Sequence, residues 1–384
     1  MRIAVFGGSF NPPHNGHVQA ACAAMKMLNA ERLLVIPAAK APHKDEPENS
    51  PSAELRYELT ALAFAGIEGV QVLNLELERP GKSYTVDTIE SLKAIYPEDE
   101  LWLLMGTDML LSFEQWKDYE RIIALASLAV FPRERGDEAA LQEAADRLKR
   151  EYSAKIELLP FVSTEISSSE LREMLQNRRG NSFLPDAVYE EIIRLRIYGA
   201  KPNLQWLREK SYAMLNEKRI PHVIGCEQEA VRLAKRWGAD IDDAAEAGIL
   251  HDITKKLKGE EQLKLCDDYD IMTDDDEKAN YKLLHSKTGA AYARAHFGVS
   301  DEVYSAIFWH TTGKADMTLL EKIIYLADYI EPNRHFDGVE QMRCLAYENI
   351  DAALELGLTM SLQDLAARGV APHKYTAEAA NFYK

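Results

Sequence analysis

The apolar pattern of this 384-residue chain changes once, near Pro202, and that change constrains its architecture more than any other feature. Before it, apolar runs of strand length at 3–6, 33–36, 70–77, 101–105, 128–131 and 156–161 alternate with stretches whose apolar residues recur at helical spacing. Such alternation builds a parallel sheet covered by helices. After it only amphipathic helical segments remain, at 204–215, 223–237, 242–251, 286–296, 302–309 and 319–330. We therefore expect an α/β domain over residues 1–200 and an all-α domain over residues 203–384, in line with a length beyond the usual single domain.

The first apolar run leads directly into Gly7-Gly8-Ser9-Phe10 and then into His14 and His17 at the mouth of a helix. Glycines without a Cβ let the backbone approach a bulky anion, and a helix N-terminus offers it N–H groups and a positive dipole end. The histidines add donors at the same place. A second cradle of this kind is Ile166-Ser167-Ser168-Ser169 before a helix that carries Arg172. Between them, Lys40, His43 and Lys44 follow the second strand and Asp108 follows the fourth, at the sheet edge where open α/β folds bind ligands. Ser50-Pro51 reads as a helix cap, opening a helix whose outward face carries Arg56.

A net charge of −17 with a pI near 5.1 opposes general binding to nucleic acid, so an anionic substrate must meet basic groups locally. Hydrophobic residues at 46% and no run of membrane-spanning length describe an ordinary soluble chain, and an opening strand argues against a signal peptide. Cys22, Cys226, Cys266 and Cys344 lie far apart without paired spacing, which points to a reduced cytoplasm rather than to disulfides or a zinc knuckle.

The stretch "GGSFNPPHNGH" resembles the His-x-Gly-His signature of the nucleotidyltransferase superfamily, and within it the bacterial nicotinate-nucleotide adenylyltransferases. "PHK", "SYTVDT" and "ISSSELR" match the same family in order. Where its members more often carry Thr and Asp, this chain has Ser9 and Asn11; where they continue Arg-Pro-Gly, it reads Arg133-Glu134-Arg135-Gly136. The resemblance implies a Rossmann-like domain that transfers adenylate from ATP, with its magnesium, to nicotinate mononucleotide. It assigns phosphate contacts to His14, His17, Lys44 and Arg172. Further substrate contacts fall to Gly7, Gly8, Ser9, Phe10, Lys40, His43, Tyr84, Thr85, Gly106, Asp108, Trp116, Arg133, Ile166, Ser167 and Ser168. Trp116, by itself more often a core residue on a helix, would stack on the pyridine ring.

In the second half His222, His251, His285 and His310 sit on or beside apolar helical faces, Asp252 follows His251 at once, and Asp328 interrupts the run "EKIIYLADYIEP". A carboxylate buried there without a partner would cost several kcal/mol, so a cation is the natural explanation. Imidazole with carboxylate suits iron, manganese, cobalt or nickel. This ordered set resembles the HD-superfamily phosphohydrolases, and "HVIG", "LHDITK", "HTTG" and "YLADYIEPNR" are similar to the bacterial symmetrical diadenosine-tetraphosphate hydrolases. That resemblance implies a dinuclear metal site, of iron, with Asp252 bridging and catalytic. Lys255 and Arg334 could grip phosphates or stand as solvated charges. His296, His335 and His373 fall outside the pattern and read as surface or satisfied histidines.

The expectation is a bifunctional cytoplasmic enzyme acting on ATP, nicotinate mononucleotide and dinucleoside polyphosphates, with no nucleic-acid or membrane partner and with self-association left open. Two alternatives stay beside it: an adenylyltransferase for another phosphorylated acceptor, and a chain in which one half is a non-catalytic nucleotide sensor.

Overall fold

The computed structural model describes residues 1–40, 49–79, 81–132, 136, 138–161 and 166–384. They divide into two compact units, Met1–Lys201 and Pro202–Lys384.

The first unit is built on strands β1 (Arg2–Gly8), β2 (Arg32–Pro37), β3 (Val70–Val72), β4 (Glu100–Gly106), β5 (Ser127–Phe131) and β6 (Ile156–Leu158). They form one parallel sheet in the order β3-β2-β1-β4-β5-β6. Helices α1 (Asn15–Met27), α2 (Ala53–Ala63), α3 (Thr85–Ile95), α4 (Thr107–Leu111), α5 (Tyr119–Leu125) and α6 (Glu138–Tyr152) connect the strands, and α7 (Ser168–Gln176) and α8 (Asp186–Leu195) follow β6. Ile3, Ala4 and Val5 are at most 1% exposed, so the central strands read as unbroken apolar runs, as parallel strands covered on both faces must. The chain leaves β1 toward β2 on one side, while β4 lies on the other. Gly7, Gly8 and Gly106 therefore end at the point where the winding direction changes, where a ligand crevice opens.

The second unit is helical throughout its described residues: α9 (Leu204–Ala213), α10 (Ile220–Trp237), α11 (Ile241–Leu250), α12 (Gly259–Asp268), α13 (Asp275–Ala279), α14 (Leu284–Phe297), α15 (Asp301–Trp309), α16 (Leu319–Ile330), α17 (Val339–Glu348), α18 (Ile350–Ala367) and α19 (Lys374–Phe382). Leu233, Ile249, Ile307, Ile323, Leu326 and Leu354 form part of one core drawn from α10, α11, α15, α16 and α18. The α/β and helical classes expected from the pattern are those observed, and no helix among the described residues is long and apolar enough to cross a membrane.

Several local expectations give way to tertiary structure. The third strand ends at Val72, because the chain turns with Leu77 N–H donating to Asn74 O. Ser52, not Ser50, caps α2 by accepting from Leu55 N–H, while the Ser50 hydroxyl accepts from Asn11 Nδ2. Trp116 is not helical; it follows a 3-10 turn in extended backbone. Arg56, expected on an outward face, is 1% exposed, because its guanidinium is taken up by main-chain carbonyls.

Candidate active sites

In the first unit the glycine loop is shaped by contact. A Cβ at Gly8 would meet the Phe10 ring at 3.2 Å, whereas one at Gly7 meets nothing within 4 Å. Phe10 adopts φ 45°, and its ring packs edge-on against His17 at 5.1 Å between centroids. The His14 and His17 rings lie 3.7 Å apart. His14 caps α1 and its N–H donates to His17 Nδ1 at 3.2 Å, which leaves Nε2 as the donor of a neutral His17 ring.

The second cradle meets the first. Ser167 caps α7 in a capping box with Glu170. Ser168 Oγ donates to Pro12 O at 3.1 Å and Arg172 Nη1 to Asn11 O at 2.6 Å. Asn11 is held further by Tyr198, whose hydroxyl donates to its Oδ1 at 2.8 Å. Ile166 and Ser167 are half-buried at the start of this turn.

Elsewhere in this unit, the segment after β2 joins the start of α3. Ser83 N–H donates to Lys40 O at 3.0 Å, and Ser83 Oγ accepts from Ala39 N–H at 3.1 Å. Tyr84 and Thr85 open α3, and Lys117 Nζ lies 4.6 Å from the Tyr84 ring centroid, which brings the residue after Trp116 against this segment. Trp116 is half-buried beside Phe113, and Gly106 and Asp108 end β4 and begin α4. His43, Lys44 and Arg133 lie outside the described residues.

In the second unit the six candidate ligands converge. His222 Nε2 lies 3.3 Å from His251 Nε2 and 3.1 Å from Asp328 Oδ1; His285 Nε2 lies 3.1 Å from His310 Nε2 and 3.2 Å from Asp252 Oδ1. All four rings spend Nδ1 elsewhere. His251 bonds Gly248 O at 2.8 Å, His285 bonds Lys282 O at 2.6 Å, His310 bonds Ile307 O at 2.7 Å and His222 bonds Glu331 Oε1 at 3.1 Å. These acceptors hold the proton on Nδ1 and leave Nε2 a lone pair. Burial keeps His251 neutral, its pKa pushed down to about 3, and likewise His285, pushed down to about 4.

Asp252 has no exposed surface, and its Oδ1 accepts no hydrogen bond. Burial by itself would raise its pKa, and the charge of Lys255 beside it opposes that rise. Lone pairs and carboxylates facing one another in this way suit a divalent cation, and two donor groups stand out: His251, Asp252 and His310, and His222, Cys226, His251 and Asp328. Glu331, bonded to His222, is the outer partner that orients such a ring.

Cationic side chains ring the cluster. Lys255 Nζ lies 2.9 Å from His285 Nε2, and Arg334 Nη2 donates to Asp328 Oδ1 at 2.6 Å. Arg219, which the sequence reading passed over, donates to Asp252 Oδ2 at 2.5 Å and borders an open cavity of about 550 Å³ with Asn216, Glu217 and Lys218. Thr311 Oγ1 lies 3.1 Å from His285 Nε2 and was also missed. Only the i−3 spacing of Arg219 and the i+3 spacing of Glu331 from ligands carried a signal for them. His373 is buried and paired with Asp274 at 3.1 Å, a satisfied histidine.

Comparison with known proteins follows the same division. Residues 5–174 match the cytidylyltransferase-like family and residues 219–333 the HD domain. A Gemmatimonas aurantiaca protein named probable nicotinate-nucleotide adenylyltransferase is 35% identical over 205 residues, covering 53% of this chain and 94% of that protein. A Mycoplasma genitalium protein named probable nicotinate-nucleotide adenylyltransferase/Ap4A hydrolase is 29% identical over 363 residues, covering 92% of this chain and 95% of its own. A solved HD-superfamily hydrolase from Clostridium acetobutylicum, described as involved in NAD metabolism, is 37% identical, covers 47% of this chain and 95% of that one, and superposes with a TM-score of 0.46. With a cytidylyltransferase-like first unit, an HD second unit and that identity over nearly all of the Gemmatimonas protein, the chain belongs to the nicotinate-nucleotide adenylyltransferase family, here joined to an HD domain.

Proposed function

We propose that the chain is a bifunctional enzyme: its first unit joins ATP and nicotinate mononucleotide into nicotinate adenine dinucleotide and pyrophosphate, and its second splits diadenosine tetraphosphate symmetrically into two ADP. The observation that carries the first activity is the meeting of the two anion loops through Ser168–Pro12 and Arg172–Asn11. A phosphate oxygen of the mononucleotide attacks the α-phosphorus of ATP, the bond to the bridging oxygen breaks, and pyrophosphate departs. Nothing need be attached to the protein. The chain aligns the two phosphates and offers charge and N–H donors as negative charge shifts onto the leaving group.

His17, with Nε2 as donor, and His14 beside it face the ATP phosphates; the N-terminus of α7 and Arg172 face them from the other loop. Magnesium enters with ATP. Trp116 receives the pyridine ring, and main-chain N–H groups near Tyr84 and Thr85 receive its carboxylate, which favours the acid over the amide.

In the second unit His222, His251, Asp252, His285, His310 and Asp328 would hold a dinuclear centre, of iron by the family resemblance. Such a pair of cations, when bound, lowers the pKa of water at the site and screens phosphate charge. Lys255, Arg219 and Arg334 bind the polyphosphate, and Glu331 and the main-chain carbonyls keep each imidazole turned inward. Water adds to one central phosphorus and the bond to the oxygen joining the two halves breaks, so each half leaves as a diphosphate.

The test uses the full chain. Incubation with ATP and nicotinate mononucleotide should yield the dinucleotide and pyrophosphate, with nicotinamide mononucleotide a much poorer acceptor. Diadenosine tetraphosphate should yield ADP alone, and only with metal present. Equal use of both mononucleotides would sink the acceptor assignment; AMP with ATP as products would sink the symmetrical cleavage.

A further inference from the structure

The β1–β2 ladder ends where Ala38 N–H donates to Gly8 O at 2.9 Å. Past that point the two strands part, one into the glycine loop and the other toward Lys40. Arg56, from α2, takes over as the link: Nη1 donates to Ser9 O at 2.8 Å and to Ala38 O at 2.6 Å, and Nη2 to Ala39 O at 2.8 Å. A guanidinium at 1% exposure is costly to bury, and three charge-assisted bonds to carbonyls help offset the cost.

The orientation matters as much as the link. In a trans peptide the N–H points opposite to the carbonyl that precedes it. Drawing the Ala38 carbonyl inward therefore turns Ala39 N–H away, and that N–H does reach the Ser83 hydroxyl at 3.1 Å, at the head of the segment carrying Tyr84 and Thr85. The same rule applied to Ser9 turns Phe10 N–H away from Arg56.

We propose that Arg56 is a positioning residue of the adenylyl-transfer site: by holding the carbonyls of Ser9, Ala38 and Ala39 inward it presents Phe10 N–H to the ATP phosphates and locks the donor loop in register with the acceptor segment through Ser83. This rests on the adenylyl-transfer reading above. Arg56 touches neither substrate; it acts through the two loops, and a guanidinium is required because its planar fork spans carbonyls of two segments at once.

The test compares Arg56→Met and Arg56→Lys with the parent in the full chain, reading kcat and KM for ATP and for nicotinate mononucleotide, and the thermal midpoint. Register between donor and acceptor matters most in the transition state, so kcat should fall about 100-fold in Arg56→Met while each KM moves much less. Lys keeps the charge but cannot span the carbonyls, so Arg56→Lys should recover only a small part of kcat. A purely structural role would lower the thermal midpoint and leave kcat per folded chain near parental, which overturns the proposal. Should Arg56→Met not fold, Arg56→Lys decides alone: parental kcat overturns the clamp, and a large kcat loss with little change in KM supports it. A parent without adenylyl transfer overturns the reading of the site and the clamp with it, whereas an active parent with fully active variants overturns the clamp only.

Discussion

The Nε2 atoms of His222 and His251 face each other at 3.3 Å, although the two side chains come from different helices. Neither can donate to the other while its Nδ1 proton is engaged, so the pair is arranged for a cation and not for a hydrogen bond. Asp252 links this pair to His285 and His310. Asp252→Ala should therefore lower the metal bound per chain at both positions and reduce diadenosine tetraphosphate cleavage at least 100-fold, by analogy with the loss of about 10–100-fold when even an outer partner is removed. Adenylyl transfer should continue. Metal analysis alongside both assays checks this; a variant that keeps its full metal content would remove Asp252 from the ligand set.

The spacing of that pair depends on a glycine. A Cβ at Gly248 would come within 2.7 Å of Glu227 Cα, so α10 and α11 approach as closely as they do only because position 248 has no side chain. Gly248 O is also the acceptor for His251 Nδ1. Gly248→Ala should spread the helices, cost roughly 1–3 kcal/mol in the second unit and weaken metal binding. Calorimetry with metal titration tests it, and a parental midpoint with parental affinity would contradict it.

These two cases separate what the sequence could reveal from what it could not. Strands β1, β4 and β5 were readable because burial on both faces leaves only apolar residues, and the histidines and aspartates stood out because each breaks an apolar helical face. Arg56 was misread because helical spacing reports which residues share a face, not which loop lies over it; three carbonyls from distant segments make an inward arginine acceptable. Arg219 and Glu331 looked like ordinary surface charges, since their meaning arises only when α10, α11 and α16 come together. Trp116 was read as lying on a helix, whereas the 3-10 turn before it is fixed by packing of Phe113.

In the first unit His17 has its Nδ1 occupied by His14 N–H, which fixes the tautomer that donates from Nε2. His17→Ala would remove that donor and loosen the mouth of α1 by one capping bond. The adenylyl-transfer rate should fall by about two orders of magnitude or more, with metal-dependent hydrolysis unchanged. His17→Asn offers an amide donor in a similar place and should recover part of the rate. Steady-state kinetics of both variants decide it; near-parental transfer by a folded His17→Ala chain would exclude the histidine from the mechanism.

Glu76 gives the pH prediction. It is 7% exposed and accepts from Thr88 Oγ1 at 2.6 Å. Burial raises its pKa above the ordinary value, and the bonds from Thr88 and Ser83 and the charge of Arg79 only partly offset that rise. A carboxyl whose folded pKa lies above its unfolded one favours the folded state fully only below the unfolded value, and that contribution is lost as pH rises through the folded pKa. At neutral pH the charged carboxylate is thus a burden on the first unit. Glu76→Gln keeps an acceptor for Thr88 without the charge, so it should raise the thermal midpoint of the first unit at pH 7–8. The gain should shrink as pH falls and vanish below about pH 4, where the acid is protonated in both states. Residual adenylyl transfer after graded heating at each pH, assayed on return to neutral, follows the first unit alone. A variant less stable than the parent at pH 8, or one whose advantage persists unchanged at pH 4, would show that the Glu76 carboxylate is instead stabilised by its Thr88, Ser83 and Arg79 partners.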